Sequence, residues 1–233
     1  MAELIVALDV ATKDEAEAMV RKLGDVVSFY KVGLELFSAD GPAVIAMVKG
    51  YGKRVFLDLK LHDIPRTVER AVERCAAMGV DLLTIHASGG RAMVRAAMAA
   101  AGRAAQPPRI LAVTALTSLD QGDLSDLGVC RSLRDHVIGL GKLAVLDGGA
   151  DGIVCSPQEV AAMRAELGEQ ALLVTPGVRP SGTAVGDQKR IATPAAAVQD
   201  GSTHLVVGRP VLEAADPQAA AAAIIAEMME AAV

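Results

Sequence analysis

The feature that most constrains this chain is a regular alternation of eight short apolar runs with segments of helical patterning. The runs fall at 4–9, 26–32, 54–60, 81–86, 110–115, 152–155, 171–175 and 205–208. Most are continuous in Val, Leu and Ile and lack the polar alternation of a half-exposed strand, so they predict parallel strands buried on both faces. Parallel neighbours need a crossover, and the intervening segments carry helix start signals. Thr12 with Glu15, and Ser156-Pro157 with Glu159, read as capping boxes, and Asp216-Pro217 opens a last helix in the same way. The segment 132–148 is interrupted by glycines, which leaves its ends poorly defined. Eight such units allow a closed barrel or a doubly wound open sheet. The 233 residues are close to a typical barrel of about 250. No GxGxxG follows the first run, which weakens the dinucleotide-binding open sheet. The expectation is an α/β chain forming one (β/α)8 TIM barrel, a single domain over 1–233.

Apolar residues make up 52% of the chain, aromatics only 2%, and Trp is absent, so the core must be built from Ala, Val, Leu, Ile and Met. The net charge is −5 and no basic run is interleaved with aromatics, which argues against nucleic acid or an anionic membrane as partner. The apolar tail 219–233 is broken by Glu227 and Glu230 and is too short to span a bilayer. The opening MAELIVALDV has no basic region and reads as a first strand, not a leader. Cys75, Cys130 and Cys155 have no motif spacing, as expected of reduced thiols in a cytoplasmic protein.

Against this apolar background the stretch VFLDLKLHDIP, 55–65, loads Asp58, Lys60 and Asp63 onto the end of the third run. Residues two apart on a strand share a face, so Phe56, Asp58 and Lys60 point the same way. At the C-terminal end of a barrel strand that face opens into the mouth, where barrel active sites lie. Asp9 ends the first run and Lys31 the second, so Asp9, Lys31, Asp58 and Lys60 are predicted to meet as an alternating network. At about 4 Å and an effective dielectric near 20, each opposite pair gains roughly 4 kcal/mol before desolvation. Buried charge networks are costly, and closing a barrel end does not require one. A lysine flanked by acids is an ammonium, suited to general acid work and not to Schiff-base formation.

A second cluster lies at the last two strands. TPGVRPSG, 175–182, follows run seven and VVGRP, 206–210, ends run eight, the two places where barrels commonly bind phosphate. Glycine lets backbone N–H groups approach an anion, Arg209 offers a bidentate fork, and Arg179 and Gln188 are candidate clamps on the long loop. His62, His86, His136 and His204 show no metal spacing. His86 ends run four near the mouth and, like His204 at the opposite end, reads as structural. Asp123 and Asp126 read as solvated in a polar loop.

Taken in order, VALDV (6–10), YKVGLELF (30–37), FLDLKLHDIPRTV (56–68), TIHASGG (84–90), VTALTS (113–118), GADGIVCSP (149–157), TPGVRP (175–180), GDQKR (186–190) and VVGRP (206–210) resemble the orotidine 5′-phosphate decarboxylase family. The resemblance covers nearly the whole chain, and the segment around Asp58, Lys60 and Asp63 is its most specific part. It implies cofactor-independent, metal-free loss of CO2 from orotidine 5′-phosphate to give UMP, the last step of de novo pyrimidine synthesis. By position, Lys60 matches the lysine that protonates C6 and Asp58 the acid beside the substrate carboxylate. Asp63 matches an acid contributed across a homodimer interface, with Ile64 and Thr67 on the same segment. Asp9 and Lys31 look like the ribose-hydroxyl pair, Lys31 being also part of the catalytic network. Thr117 is similar to the pyrimidine contact, and Pro176, Arg179, Gln188, Gly208 and Arg209 to the closing loop and phosphate grip.

The alternative is a Mg²⁺-dependent sugar-phosphate decarboxylase or aldolase on the same kind of barrel. Its metal site takes a glutamate near the end of strand two, where this chain has Lys31, and Glu35 lies further on in what reads as a helix. A non-catalytic barrel acting as a scaffold would be expected to have lost one of Asp58, Lys60 or Asp63.

Overall fold

The structure is a computed structural model that describes residues 2–180 and 192–231. Its strands are β1 Glu3–Ala7, β2 Phe29–Gly33, β3 Arg54–Leu61, β4 Leu82–His86, β5 Arg109–Val113, β6 Gly152–Val154, β7 Leu172–Thr175 and β8 His204–Val207. All pair in parallel in chain order, and β8 closes on β1 with Ile5 opposite Val206, so the sheet is a closed barrel. Each expected run is a strand. The largest boundary difference is at β2, because Val26 belongs to a short 3-10 turn, Gly24–Val26, that precedes it.

The helices begin where local chemistry starts them. The Thr12 hydroxyl accepts the Glu15 N–H while the Glu15 carboxylate accepts the Thr12 N–H, heading the helix Lys13–Leu23. Ser156 and Glu159 form a capping box before Val160–Leu167, and Asp216 accepts the Ala219 N–H at the head of Pro217–Ala231. The glycine-interrupted segment is a helix, Leu133–Lys142, capped by Ser132 and running into a π-helical turn, Leu143–Asp147. Its glycines mark close packing and not breaks: a Cβ on Gly141 would come within 2.7 Å of Met163, and one on Gly148 within 2.5 Å of Val94. The polar loop expected around Asp123 and Asp126 is instead a short helix, Gln121–Asp126, because Asp120 and Asp123 cap it reciprocally.

Burial falls into two layers. One core lies between the strands and the helices. The other is a plug inside the barrel, made of Ile5, Ala7, Phe29, Phe56, Leu82, Leu111, Val174 and Val206. Strand alternation carries the next inward position on each strand upward from this plug: Ala7 to Asp9, Phe29 to Lys31, Phe56 to Asp58, Leu82 to Thr84, Val206 to Gly208. The polar layer therefore sits directly on an apolar floor, at the C-terminal mouth.

Candidate active site

Four of the expected residues form one chain of charge across β1, β2 and β3. Lys31 Nζ lies 2.9 Å from Asp9 Oδ1 and 3.9 Å from Asp58 Oδ2, and Lys60 Nζ lies 2.7 Å from Asp58 Oδ2. The Asp58 side chain is only 12% exposed, as is that of Lys31, whereas Asp9 at the end of the chain is 55% exposed. Asp58 is thus the desolvated centre, and two cations together with a hydroxyl donor offset its burial. Two glycines make room. A Cβ on Gly33 would stand 3.0 Å from Lys31 Nζ, and one on Gly208 would stand 3.3 Å from Asp9 Oδ2.

Phe56, Asp58 and Lys60 all line the cavity, as alternation predicts, but Lys60 arrives there by a different route. The β3–β4 register runs Leu57 to Leu83 and then Leu61 to Ile85, so four steps on β3 match two on β4. The excess is a bulge, a device that re-aims side chains beside active sites. Within it Lys60 has φ 52°, the one non-glycine residue with positive φ among the described residues. The Lys60 N–H donates to Thr84 Oγ1 at 2.8 Å, and the Thr84 hydroxyl donates to Asp58 Oδ1 at 2.9 Å. Thr84 and Gly33 were not among the sequence candidates. The available signal for Thr84 was a polar residue at an inward position of an otherwise apolar run, one step above Leu82.

The network forms one wall of a cavity of about 490 Å³, a size that suits a nucleotide-sized ligand. Ala7, Phe56, Val154 and Val206 make its floor. Thr117 and Pro176 line it, and Arg179, Gly208 and Arg209 stand at the phosphate end expected from the sequence. Arg179 Nε is buried and has no hydrogen-bond partner among the described residues. Burial, and then the charge of Arg209, pull the Arg179 guanidinium below its usual pKa, with Glu213 acting the other way. Two guanidinium groups turned to one cavity end are a receptor for a dianion. The Arg179 N–H donates to the Ala192 carbonyl, and Val178 pairs with Ala192, so both flanks of the long loop are tied together. Gln188 lies outside the described residues.

Three expected residues do not enter this cavity. Asp63, Ile64 and Thr67 are exposed beyond the end of β3, and Asp63 Oδ1 accepts the Ile64 N–H at 2.7 Å. Within one chain Asp63 therefore stands apart from the network of Asp9, Lys31, Asp58 and Lys60, because the loop before Pro65 turns outward. His86 packs against His62 with ring centroids 5.3 Å apart and does not line the cavity. Burial, with help from His62 and Lys60, lowers its pKa.

The sequence matches the family described as "Orotidine 5'-phosphate decarboxylase / HUMPS family" over residues 2–224. It is 53% identical over 228 residues to orotidine 5′-phosphate decarboxylase of Rhodopseudomonas palustris, covering 98% of this chain and 95% of that one. It is 54% identical over 220 residues to the enzyme of the same name from Anaeromyxobacter dehalogenans, covering 94% and 95%. The fold matches the crystal structure of orotidine 5′-phosphate decarboxylase from Lactobacillus acidophilus with a TM-score of 0.88 and 39% identity, over 98% of this chain and 99% of that one. Since the matched span includes every strand of the barrel and both loops of the phosphate end, the chain belongs to the orotidine 5′-phosphate decarboxylase / HUMPS family.

Proposed function

We propose that this chain decarboxylates orotidine 5′-phosphate to UMP and CO2 without a metal or organic cofactor. The observation that carries this reading is the Lys60 ammonium, held 2.7 Å from Asp58 on the wall of a cavity whose far end presents two arginines. In the reaction the bond from C6 to the carboxylate carbon breaks, the electron pair stays on C6 and CO2 leaves. A fixed ammonium favours that carbanionic transition state over the ground state and then gives C6 its proton. Lys60 has this role, and solvent restores its proton afterwards. Asp58 faces the substrate carboxylate, and its repulsion is relieved as neutral CO2 forms. Asp9 and Lys31 hold the ribose hydroxyls, Thr117 contacts the pyrimidine, and Arg179, Gly208 and Arg209, with Gln188, take the phosphate. Binding energy from the phosphate, remote from C6, serves to order the reacting end.

The same reading makes the enzyme a homodimer with shared sites, in which Asp63, Ile64 and Thr67 reach into the partner's cavity. Their exposure beside the mouth supports this, above all that of Ile64, a large apolar side chain 68% exposed.

The family description also spans the sugar-phosphate branch. What favours the decarboxylase is Lys31 Nζ, a cation within ion-pair reach of both Asp9 and Asp58, at the strand-two position where the alternative takes a metal-binding glutamate. The test is loss of the orotate chromophore when purified protein meets orotidine 5′-phosphate in excess EDTA. Turnover that EDTA leaves intact and Lys60→Ala removes is the expected result. Turnover of a sugar phosphate only on adding Mg²⁺ would replace this reading with the alternative. Mixing Lys60→Ala and Asp63→Ala subunits should restore activity, and no recovery would refute shared sites.

A further inference from the structure

We infer that Thr84 is a positioning residue for the lysine–carboxylate couple: its hydroxyl holds Lys60 in a left-handed backbone conformation and fixes the Asp58 carboxylate so that Oδ2 faces both lysines. The kinetic consequence rests on the decarboxylase reading. The geometric one stands alone.

The argument begins with the bulge. Between Leu57 and Leu61, β3 inserts residues that β4 does not match, and the backbone N–H of Lys60 meets a side-chain oxygen, Thr84 Oγ1, in place of a ladder carbonyl. A lysine at φ 52° persists only where its surroundings over-determine it. The hydrogen bond from its N–H is one such constraint, and its Nζ contact with Asp58 is the other. Thr84 connects the two. Its single hydroxyl proton goes to Asp58 Oδ1, which sets the carboxylate plane and leaves Oδ2 for Lys60 at 2.7 Å and Lys31 at 3.9 Å. A threonine hydroxyl has one proton to donate, and that proton is committed. The side chain is stiff at χ1 and fully buried, so the oxygen is held in place, and Thr84 is not among the residues that line the cavity. Its effect on the reaction must pass through Asp58 and Lys60.

Thr84→Val keeps the shape and removes the oxygen. It leaves the Lys60 N–H without an acceptor and the Asp58 carboxylate free to turn. Since the phosphate end of the cavity is untouched, kcat should fall at least tenfold while KM stays within threefold. Thr84→Ser, which restores the hydroxyl, should recover most of the loss. In a crystal structure of Thr84→Val, Lys60 should return to negative φ or its Nζ should move beyond 3.5 Å from Asp58 Oδ2. A Thr84→Val enzyme with wild-type kcat and an unchanged Lys60 would overturn the inference. Equal losses in the Val and Ser variants would overturn it too, since they would mean that packing and not the hydroxyl matters. If Thr84→Val does not fold, Thr84→Ala is read by the same criteria. If the wild-type protein does not turn over orotidine 5′-phosphate, the proposed function fails, and the Lys60 and Asp58 geometry of the variant still decides this inference.

Discussion

The two ends of the barrel use the same residue types for different ends. At the N-terminal end every named charge is committed to closing the sheet. Asp81, just before β4, accepts the Val55 N–H at 2.8 Å and the Lys49 ammonium at 3.2 Å. Asp151, just before β6, accepts the Ile110 N–H and the Arg109 guanidinium, both at 2.8 Å. Thr203, just before β8, accepts the Leu173 N–H at 3.0 Å. The device repeats: the residue ahead of an even strand caps an N–H of the odd strand before it. Arg54 pairs with Glu3 at 2.6 Å and lies over the Phe29 ring. At the mouth the cations lie on an apolar floor, one lysine is held at positive φ, and Arg179 keeps a buried Nε with no hydrogen-bond partner among the described residues. Satisfied polar groups at the bottom read as stability, and strained, under-satisfied ones at the top as function.

The contrast breaks most sharply if a mouth charge can be removed cheaply. Lys60→Ala should lower kcat/KM by at least about 10³-fold, the combined scale of losing a general acid and a preorganised cation. Its melting temperature should move by no more than about 3 °C, because the lost partner of Asp58 is partly replaced by Lys31. A Lys60→Ala enzyme that keeps a tenth of wild-type activity would end the contrast. Next in size is Arg209→Ala. Losing charge-assisted hydrogen bonds of about 1.5–3 kcal/mol should raise KM roughly 10- to 100-fold with a smaller change in kcat. A fall in kcat at constant KM would move Arg209 from phosphate binding to the chemistry.

The same contrast explains what was legible in the sequence. Strands are legible because burial on both faces writes a continuous apolar run. The charged strand ends are legible because alternation is local, which is why Asp9, Lys31, Asp58 and Lys60 meet as expected. The bulge is not local. It depends on how β3 registers against β4, and nothing in LDLKL announces a lysine at positive φ. Thr84 looks like any β-branched strand former, and Gly33 like a strand end, until the neighbouring side chains are in place. The place of Asp63 beyond the strand end, before Pro65, is legible for the same local reason, and only the resemblance gives it a role in a partner's site. The Asp120–Asp123 cap was missed because two aspartates do not match the usual Ser/Thr-x-x-Glu pattern.

At the N-terminal end the effects should appear in stability alone. Asp151→Ala strands the Ile110 N–H in a half-buried site and frees Arg109, which should cost about 1–3 kcal/mol. For a chain of this size that is a fall of roughly 3–10 °C in melting temperature, with kcat/KM unchanged. A kinetic defect at full stability would mean that the two ends are coupled.

The smallest effect is the most diagnostic. His204 sits edge-on to Phe29, with Nδ1 at 2.9 Å from the Thr203 hydroxyl and Nε2 at 3.3 Å from Glu3. Burial, more than the nearby Arg54, lowers its pKa, although Glu3 opposes the shift. The unfolded chain takes up a proton near pH 6.5, the ordinary imidazole value, whereas the folded chain does so only at lower pH. The stability held by neutral His204 is therefore complete above about pH 6.5. It is lost progressively as pH falls from there toward the folded pKa, and is level below it. Between pH 7.5 and pH 5 the wild-type melting temperature should drop further than that of His204→Gln, by on the order of 1–3 °C. Both proteins should keep the same kcat at pH 7.5. Parallel melting curves for the two would mean that His204 does not titrate on unfolding, and the acid sensitivity would then fall to His86, whose pKa is also lowered, at the mouth.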